Sequence, residues 1–92
     1  MQVRYTKYAN KFINKLIKSN PDAAENIVAK VETLKIDPEP PDSLKLKGYR
    51  EEYLRVRSGD FRAIYFIAGD LVSIVHIGHR GTVYQEFKRR FG

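Results

Sequence analysis

The side chains best suited to chemistry in this 92-residue chain are Arg55, Arg57, Arg62, His79, Arg80 and Tyr84. Arginine carries planar pairs of donors that match phosphate oxygens. Histidine titrates near neutrality and can move a proton. Tyrosine can stack on a base, a common way of holding single-stranded RNA. Gathered on one surface, such groups are equipped for metal-free cleavage of RNA. A ribose 2′-OH would attack the adjacent phosphate while the arginines stabilise the extra charge of the transition state. Phosphate binding without chemistry uses the same residues, and composition does not separate the two.

Other chemistries are poorly supplied. The two histidines, His76 and His79, fall in an extended run and a loop, and no cysteine is present to complete a metal site. No metal and no cofactor are therefore expected. Ser58 and Ser73 lack a His/Asp arrangement, and there is no Gly-x-Ser-x-Gly, P-loop or dinucleotide glycine pattern. Glu51 and Glu52 are sequence neighbours that point apart, unlike a working carboxylate pair.

What must position the arginines is the stretch from Tyr53 to Tyr84. Gly59-Asp60 and Gly69-Asp70 separate alternating apolar runs, a strong signal for tight hairpins because glycine accepts the positive φ of two-residue turns. Counting outward from Gly59-Asp60 sets Arg57 opposite Arg62, Val56 opposite Ala63 and Arg55 opposite Ile64. Alternation then puts Arg55, Arg57 and Arg62 on one face and Leu54, Val56, Ala63, Tyr65 and Ile67 on the other. The same count about Gly69-Asp70 sets Arg62 opposite Ile77, just before Gly78-His79-Arg80, and places His76 on the core side as a structural histidine. Like charges facing one another are unfavourable, so either an anion sits there or the face is simply a solvated basic surface.

The rest of the chain supplies a scaffold. Its length fits one domain, residues 1–92, and its composition of 42% hydrophobic and 30% charged residues is that of an ordinary globular chain. The lack of cysteine fits a reducing cytosol, and neither a membrane span nor a signal-peptide core is expected. Of the net charge of +6, only +1 belongs to residues 1–43; the excess lies in the sheet half and the tail. Such a local field favours nucleic acid, though an acidic protein would be attracted as well. Met1 to Tyr5 is an edge-strand candidate and Thr6 a helix N-cap. Ala9, Phe12, Ile13, Leu16 and Ile17, then Ala24, Ile27, Val28, Val31 and Leu34, form apolar stripes at helical spacing on either side of Ser19-Asn20-Pro21-Asp22. They predict an antiparallel helical hairpin packed on a small, mainly antiparallel sheet, an α+β fold. The Pro-rich stretch 36–43 is the crossover to the sheet, and 83–91 a short helix or extended tail. Lys45, Lys47, Tyr53, Arg57, Lys88 and Arg89 are further candidates to line an RNA. The first two serve equally as guards of an exposed edge.

These motifs resemble a known family. Lys45-Leu-Lys-Gly48, Tyr53-x-Arg-Val-Arg-Ser-Gly-Asp-Phe-Arg-Ala-Ile-Tyr65 and Ile77-Gly-His-Arg80 with Val83-Tyr84, preceded by a helical hairpin, resemble the RelE/ParE superfamily of type II toxin–antitoxin toxins, nearest its RelE branch. The resemblance implies a RelE-like microbial RNase fold and a toxin that enters the ribosomal A site and cuts mRNA. A cognate antitoxin would neutralise it. By that resemblance Arg62 contacts the scissile phosphate, Arg80 stabilises the transition state or protonates the leaving group, and Tyr84 stacks on the nucleotide. Arg55 and Tyr53 stand where RelE proteins place lysines. Since arginine holds its proton far above neutral pH, the general base passes to His79 as candidate. The alternatives within the superfamily are a ParE-like toxin that inhibits DNA gyrase by binding, and an inactive interaction module of the same fold.

Overall fold

The computed structural model describes Met1–Gly92. In chain order its elements are β1 (Gln2–Tyr5), α1 (Lys7–Ser19), α2 (Pro21–Glu32), a 3₁₀ turn (Thr33–Lys35), β2 (Leu44–Lys45), β3 (Leu54–Ser58), β4 (Phe61–Ala68), β5 (Leu71–His79) and α3 (Val83–Phe91). Thr6 caps α1, its hydroxyl accepting the Ala9 N–H at 3.4 Å. Asn20 ends one helix and begins the next. Its backbone N–H donates to the Leu16 carbonyl at 2.7 Å, while its side chain accepts the Ala23 N–H at 3.2 Å. Pro21, at the first position of α2, gives up an N–H that had no helical partner. With one residue doing both jobs, α1 and α2 form the expected hairpin. Their buried stripes are Ala9, Ile13 and Leu16, and Ala24, Ile27 and Val31. Ile17 departs from the expected stripe and is 52% exposed.

The five strands lie in the order β1-β5-β4-β3-β2, with β1 parallel to β5 and the other neighbours antiparallel. The fold is α+β, and each face of the sheet carries its own core. The helical hairpin packs on Leu54, Val56, Ala63, Tyr65, Val72, Ile74 and Ile77. On the other face, α3 packs Val83 and Phe87 against Tyr53, Ile64 and Val75. No helix is long and apolar enough to cross a membrane.

Both hairpins turn where the glycines predict. Gly59 (φ 58°) and Gly69 (φ 62°) carry the positive φ while no non-glycine residue does, the pattern of a type II′ turn. In the first hairpin the register is the one counted from sequence, with Arg57 opposite Arg62 and Arg55 opposite Ile64. The second begins as counted and then slips. An irregularity between Ile64 and Tyr65 leaves Val75 without a partner, so Arg62 faces Gly78 and not Ile77. A bulge inserts one residue into a strand and re-aims the side chains beyond it. For that reason His76 points to the α3 side, opposite Ile64, rather than to the hairpin core.

Candidate functional site

Arg55, Arg57 and Arg62 share the α3 side of β3 and β4, as the register requires. The Arg62 guanidinium folds along the turn, Nη1 donating to the carbonyls of Gly59 at 2.9 Å and Phe61 at 3.0 Å. Arg80 arrives at the same turn from the end of β5. Its backbone N–H donates to the Asp60 carbonyl at 2.8 Å, and its Nε stands 3.6 Å from the Asp60 carboxylate. The Gly59-Asp60 turn therefore gathers Arg62 and Arg80. No carboxylate lies within 4.0 Å of Arg55, Arg57 or Arg62. Moreover, the Arg55 Nε is buried with no hydrogen-bond partner. Arg57 is exposed at the outer side; it adds a small share to the lowering of the Asp42 carboxyl, which Lys30 dominates.

The placement of Tyr84 depends on Gly78. A Cβ at Gly78 would lie 3.0 Å from Glu86 Oε1 and 3.1 Å from Val83 Cγ2, closer than ordinary packing permits. Glycine lets the first turn of α3 settle directly on β5. Because Gly78 is the cross-strand partner of Arg62, α3 begins beside Arg62. The flanks of α3 are then distinguished by their contacts. Phe91 sits 5.7 Å from the Tyr53 ring, on the β3 flank, whereas Arg90 reaches β5. At about 100° per residue, Tyr84 and Lys88 fall on the Phe91 flank, toward the arginines, and Arg89 falls on the outward side. Tyr84 is 39% exposed, free to meet a base.

The other end of α3 is tied down by Arg90, which the sequence reading leaves without a role. Its Nη1 donates to the Val75 carbonyl at 3.2 Å and to His76 Nδ1 at 2.8 Å, and its guanidinium carbon lies 3.4 Å over the Tyr8 ring. A guanidinium only donates, so Nδ1 accepts and the ring proton sits on Nε2, 3.5 Å from Glu86 Oε1. Burial, and next the Arg90 charge, push His76 below its ordinary value, with Glu86 opposing. The bulge thus presents a carbonyl that Arg90 satisfies. Glycine inside a strand was the available sequence signal for the close approach of α3.

Several expected members lie elsewhere. His79, expected on the arginine face, pairs with Phe61 and packs edge-on against its ring at 5.7 Å, and Phe61 in turn meets Phe12 of α1. It therefore stands on the hairpin side, accepting the Gly81 N–H on Nδ1 at 3.2 Å. Tyr53 is only 7% exposed, enclosed by Tyr49, Phe66, Phe87 and Phe91, so its ring is not available to a base. Its phenol is pushed up by burial and then by the Glu51 carboxylate. Lys45 pairs with Leu54, whose side chain faces the helical hairpin, and lies on the exposed edge strand away from the arginines. Lys47 is exposed beyond β2, while Leu46 beside it packs into the second core. What the fold brings to one side is Arg55, Arg57, Arg62, Arg80, Tyr84 and Lys88.

The sequence matches, over residues 3–84, the family described as ParE toxin of type II toxin-antitoxin system, parDE. The chain belongs to that family. Among solved structures, this ParE-family toxin is similar to the archaeal RelE-RelB complex from Pyrococcus horikoshii OT3. The TM-score is 0.70 at 26% identity, covering 87% of this chain and 94% of that one. No match was found among curated proteins. The two likenesses together support membership of the wider RelE/ParE superfamily, in which the arginine face of the toxin is the surface to explain.

Proposed function

We propose that this toxin is a metal-independent endoribonuclease that cuts mRNA in the ribosomal A site and so inhibits translation. The observation that carries the reading is a basic face left open. Arg55 and Arg62 have no carboxylate partner, and α3 starts beside Arg62 with Tyr84 on the flank toward it. A buried charged donor without a partner is costly, and a phosphodiester supplies the acceptors. Tyr84 stacks on a base and orients the nucleotide. The 2′ oxygen bonds to phosphorus as the P–O5′ bond breaks, and Arg62 and Arg80 stabilise the charge that develops on the phosphoryl oxygens. Arg80 is available for this because its pairing with Asp60 is solvent-exposed and weak.

A guanidinium offers donors and no acceptor, so Arg55 binds the anion and does not remove the 2′ proton. With His79 on the other side of the sheet, the proton passes to water or to a group of the ribosome. This dependence fits a toxin that acts only on ribosome-bound message in the cytoplasm. The likeness to a RelE-RelB complex supports a cognate antitoxin as partner. Purified ribosomes carrying a defined message provide the test: cleavage of bound message and none of free RNA is expected, and equal cleavage of both would contradict it. The family match and the lack of a base on the arginine face favour a second reading, a ParE-like inhibitor of DNA gyrase. Loss of gyrase supercoiling with intact message would select it, and inactivity in both assays would leave an interaction module.

A further inference from the structure

His76 is fully buried, and the arginine face makes no use of it. Three elements supply the groups around its ring. α1 brings Tyr8, whose ring stacks on it at 5.1 Å and 14°, and the Lys7 and Lys11 charges that line the hollow beside Arg90. α3 brings Phe87 at 5.8 Å, with Glu86 on the Nε2 side and Arg90 on the Nδ1 side. β4 brings the uncharged Ile64, and β1 makes its last pair one step earlier, Tyr5 with Ile74. The ionisable groups around the ring are thus Arg90, Lys7, Lys11, the Tyr8 phenol and Glu86.

We propose that His76 and Arg90 form an acid-labile latch that holds the last turn of α3 on the sheet, and that a proton on His76 releases that turn. In the closed latch Nδ1 accepts from Arg90 Nη1 at 2.8 Å, and the same Nη1 donates to the Val75 carbonyl at 3.2 Å. Because Nε2 already carries the ring proton, a second proton enters only at Nδ1 and fills the acceptor site. Two cationic donors then face each other at hydrogen-bond distance. Glu86 is a weak counterweight. Its carboxylate stands 3.5 Å from Nε2, longer than a good hydrogen bond, and its side chain is 40% exposed, so water screens it. Burial of an imidazolium adds to the cost.

The conflict is relieved by moving Arg90. His76 is fixed in the sheet opposite Ile64, whereas Arg90 is exposed and its guanidinium can turn to water. Phe91, 37% exposed, rests on Phe87 and Tyr53. Release therefore frees Lys88 to Phe91 and uncovers the Tyr53 ring, while Val83 and Phe87 keep the rest of α3 docked. In the open turn His76 moves back toward its ordinary value of 6.5, above the lowered value of the closed latch. The open form thus takes up the extra proton more readily. Its ratio to the closed form grows on acidification below that value, by up to about tenfold per pH unit, until the closed form is itself protonated. The latch is at the opposite end of α3 from Tyr84, and the inference does not depend on whether the arginine face cleaves RNA.

The test is NMR on the full chain labelled with ¹⁵N and ¹³C, titrated from neutral to acid pH. Contacts between the Phe91 and Tyr53 rings, and the rigid ¹H–¹⁵N NOE values of Lys88 to Phe91, should be lost as the His76 ring titrates, while the amides of β3 and β4 hold. His76→Gln keeps an acceptor for Arg90 and a donor for Glu86 but takes up no proton, so its last turn should stay ordered throughout. Arg90→Met should leave that turn loose at every pH, which separates a missing tie from one that acid opens. An ordered last turn after His76 has titrated, loss of the turn only together with the sheet, the same acid release in His76→Gln, or an ordered turn in Arg90→Met would each overturn the latch.

Discussion

Arg62→Ala is expected to remove most RNA cleavage while leaving the protein folded, and both magnitudes follow from the contacts of that side chain. The guanidinium donates to two turn carbonyls and to no carboxylate. It is partly exposed, so water takes over those carbonyls and the loss comes to about 1 kcal/mol. Against this, Arg57 lies directly across the strand pair, and removing one of two facing like charges returns about 0.2–1 kcal/mol. The net change is within about 1 kcal/mol, a Tm shift of at most about 4–8 °C for a domain of this size. Cleavage should fall much further. Deleting one donor aimed at developing charge costs about 10²–10³ in rate, or roughly 2.7–4 kcal/mol. Arg62→Lys retains the charge but not the planar donor pair, and should recover only part of the activity. The assay is single-turnover cleavage of ribosome-bound message, run beside a thermal melt of each variant. Cleavage by a folded Arg62→Ala within about threefold of wild type would refute the assignment of Arg62 to the transition state.

Tyr84→Ala should reduce cleavage roughly tenfold, the scale of one base–aromatic stack. His79→Ala should change it by less than about threefold, against the roughly 10²–10⁴ that a general base supplies; a larger loss would return His79 to the mechanism. Gly78→Ala pushes a methyl into Val83 and Glu86 and should destabilise by about 1–3 kcal/mol, seen as a lower Tm together with weaker cleavage as α3 shifts. Stability should also depend on pH through His76. Its folded value is lowered, so the folded state holds fewer protons than the unfolded chain once the pH drops below the ordinary value of 6.5. The stabilisation is complete above that pH and is lost on acidification through the folded value. Urea midpoints at successive pH values should fall on the acid side in wild type and flatten in His76→Gln.

The parts legible in the sequence are those governed by local rules. Thr6 and Asn20-Pro21 mark helix ends because capping is satisfied within a turn of the chain. Gly59-Asp60 sets the first hairpin, and with it the shared face of Arg55, Arg57 and Arg62, because a two-residue turn leaves one register and side chains alternate. Illegible were the features that need a second element in place. The bulge at Val75 carries no local mark, since Val-His-Ile continues an ordinary strand pattern; it is stabilised by Arg90, fifteen residues further on. Tyr53 looks like a stacking residue until α3 encloses it with Phe87 and Phe91.

By itself, then, the amino-acid order determined the elements, the first hairpin's register and the clustering of three arginines, because each of these rests on contacts between near neighbours in the chain. Tertiary structure alone decided which other groups join them. One unpaired residue in β5 moved His76 to the α3 side and set Gly78 opposite Arg62. Docking of α3 on that glycine then carried Tyr84 to the arginine side, while His79 stayed against Phe61 on the far face. The side on which a strand residue falls is a parity, and a single inserted residue reverses it.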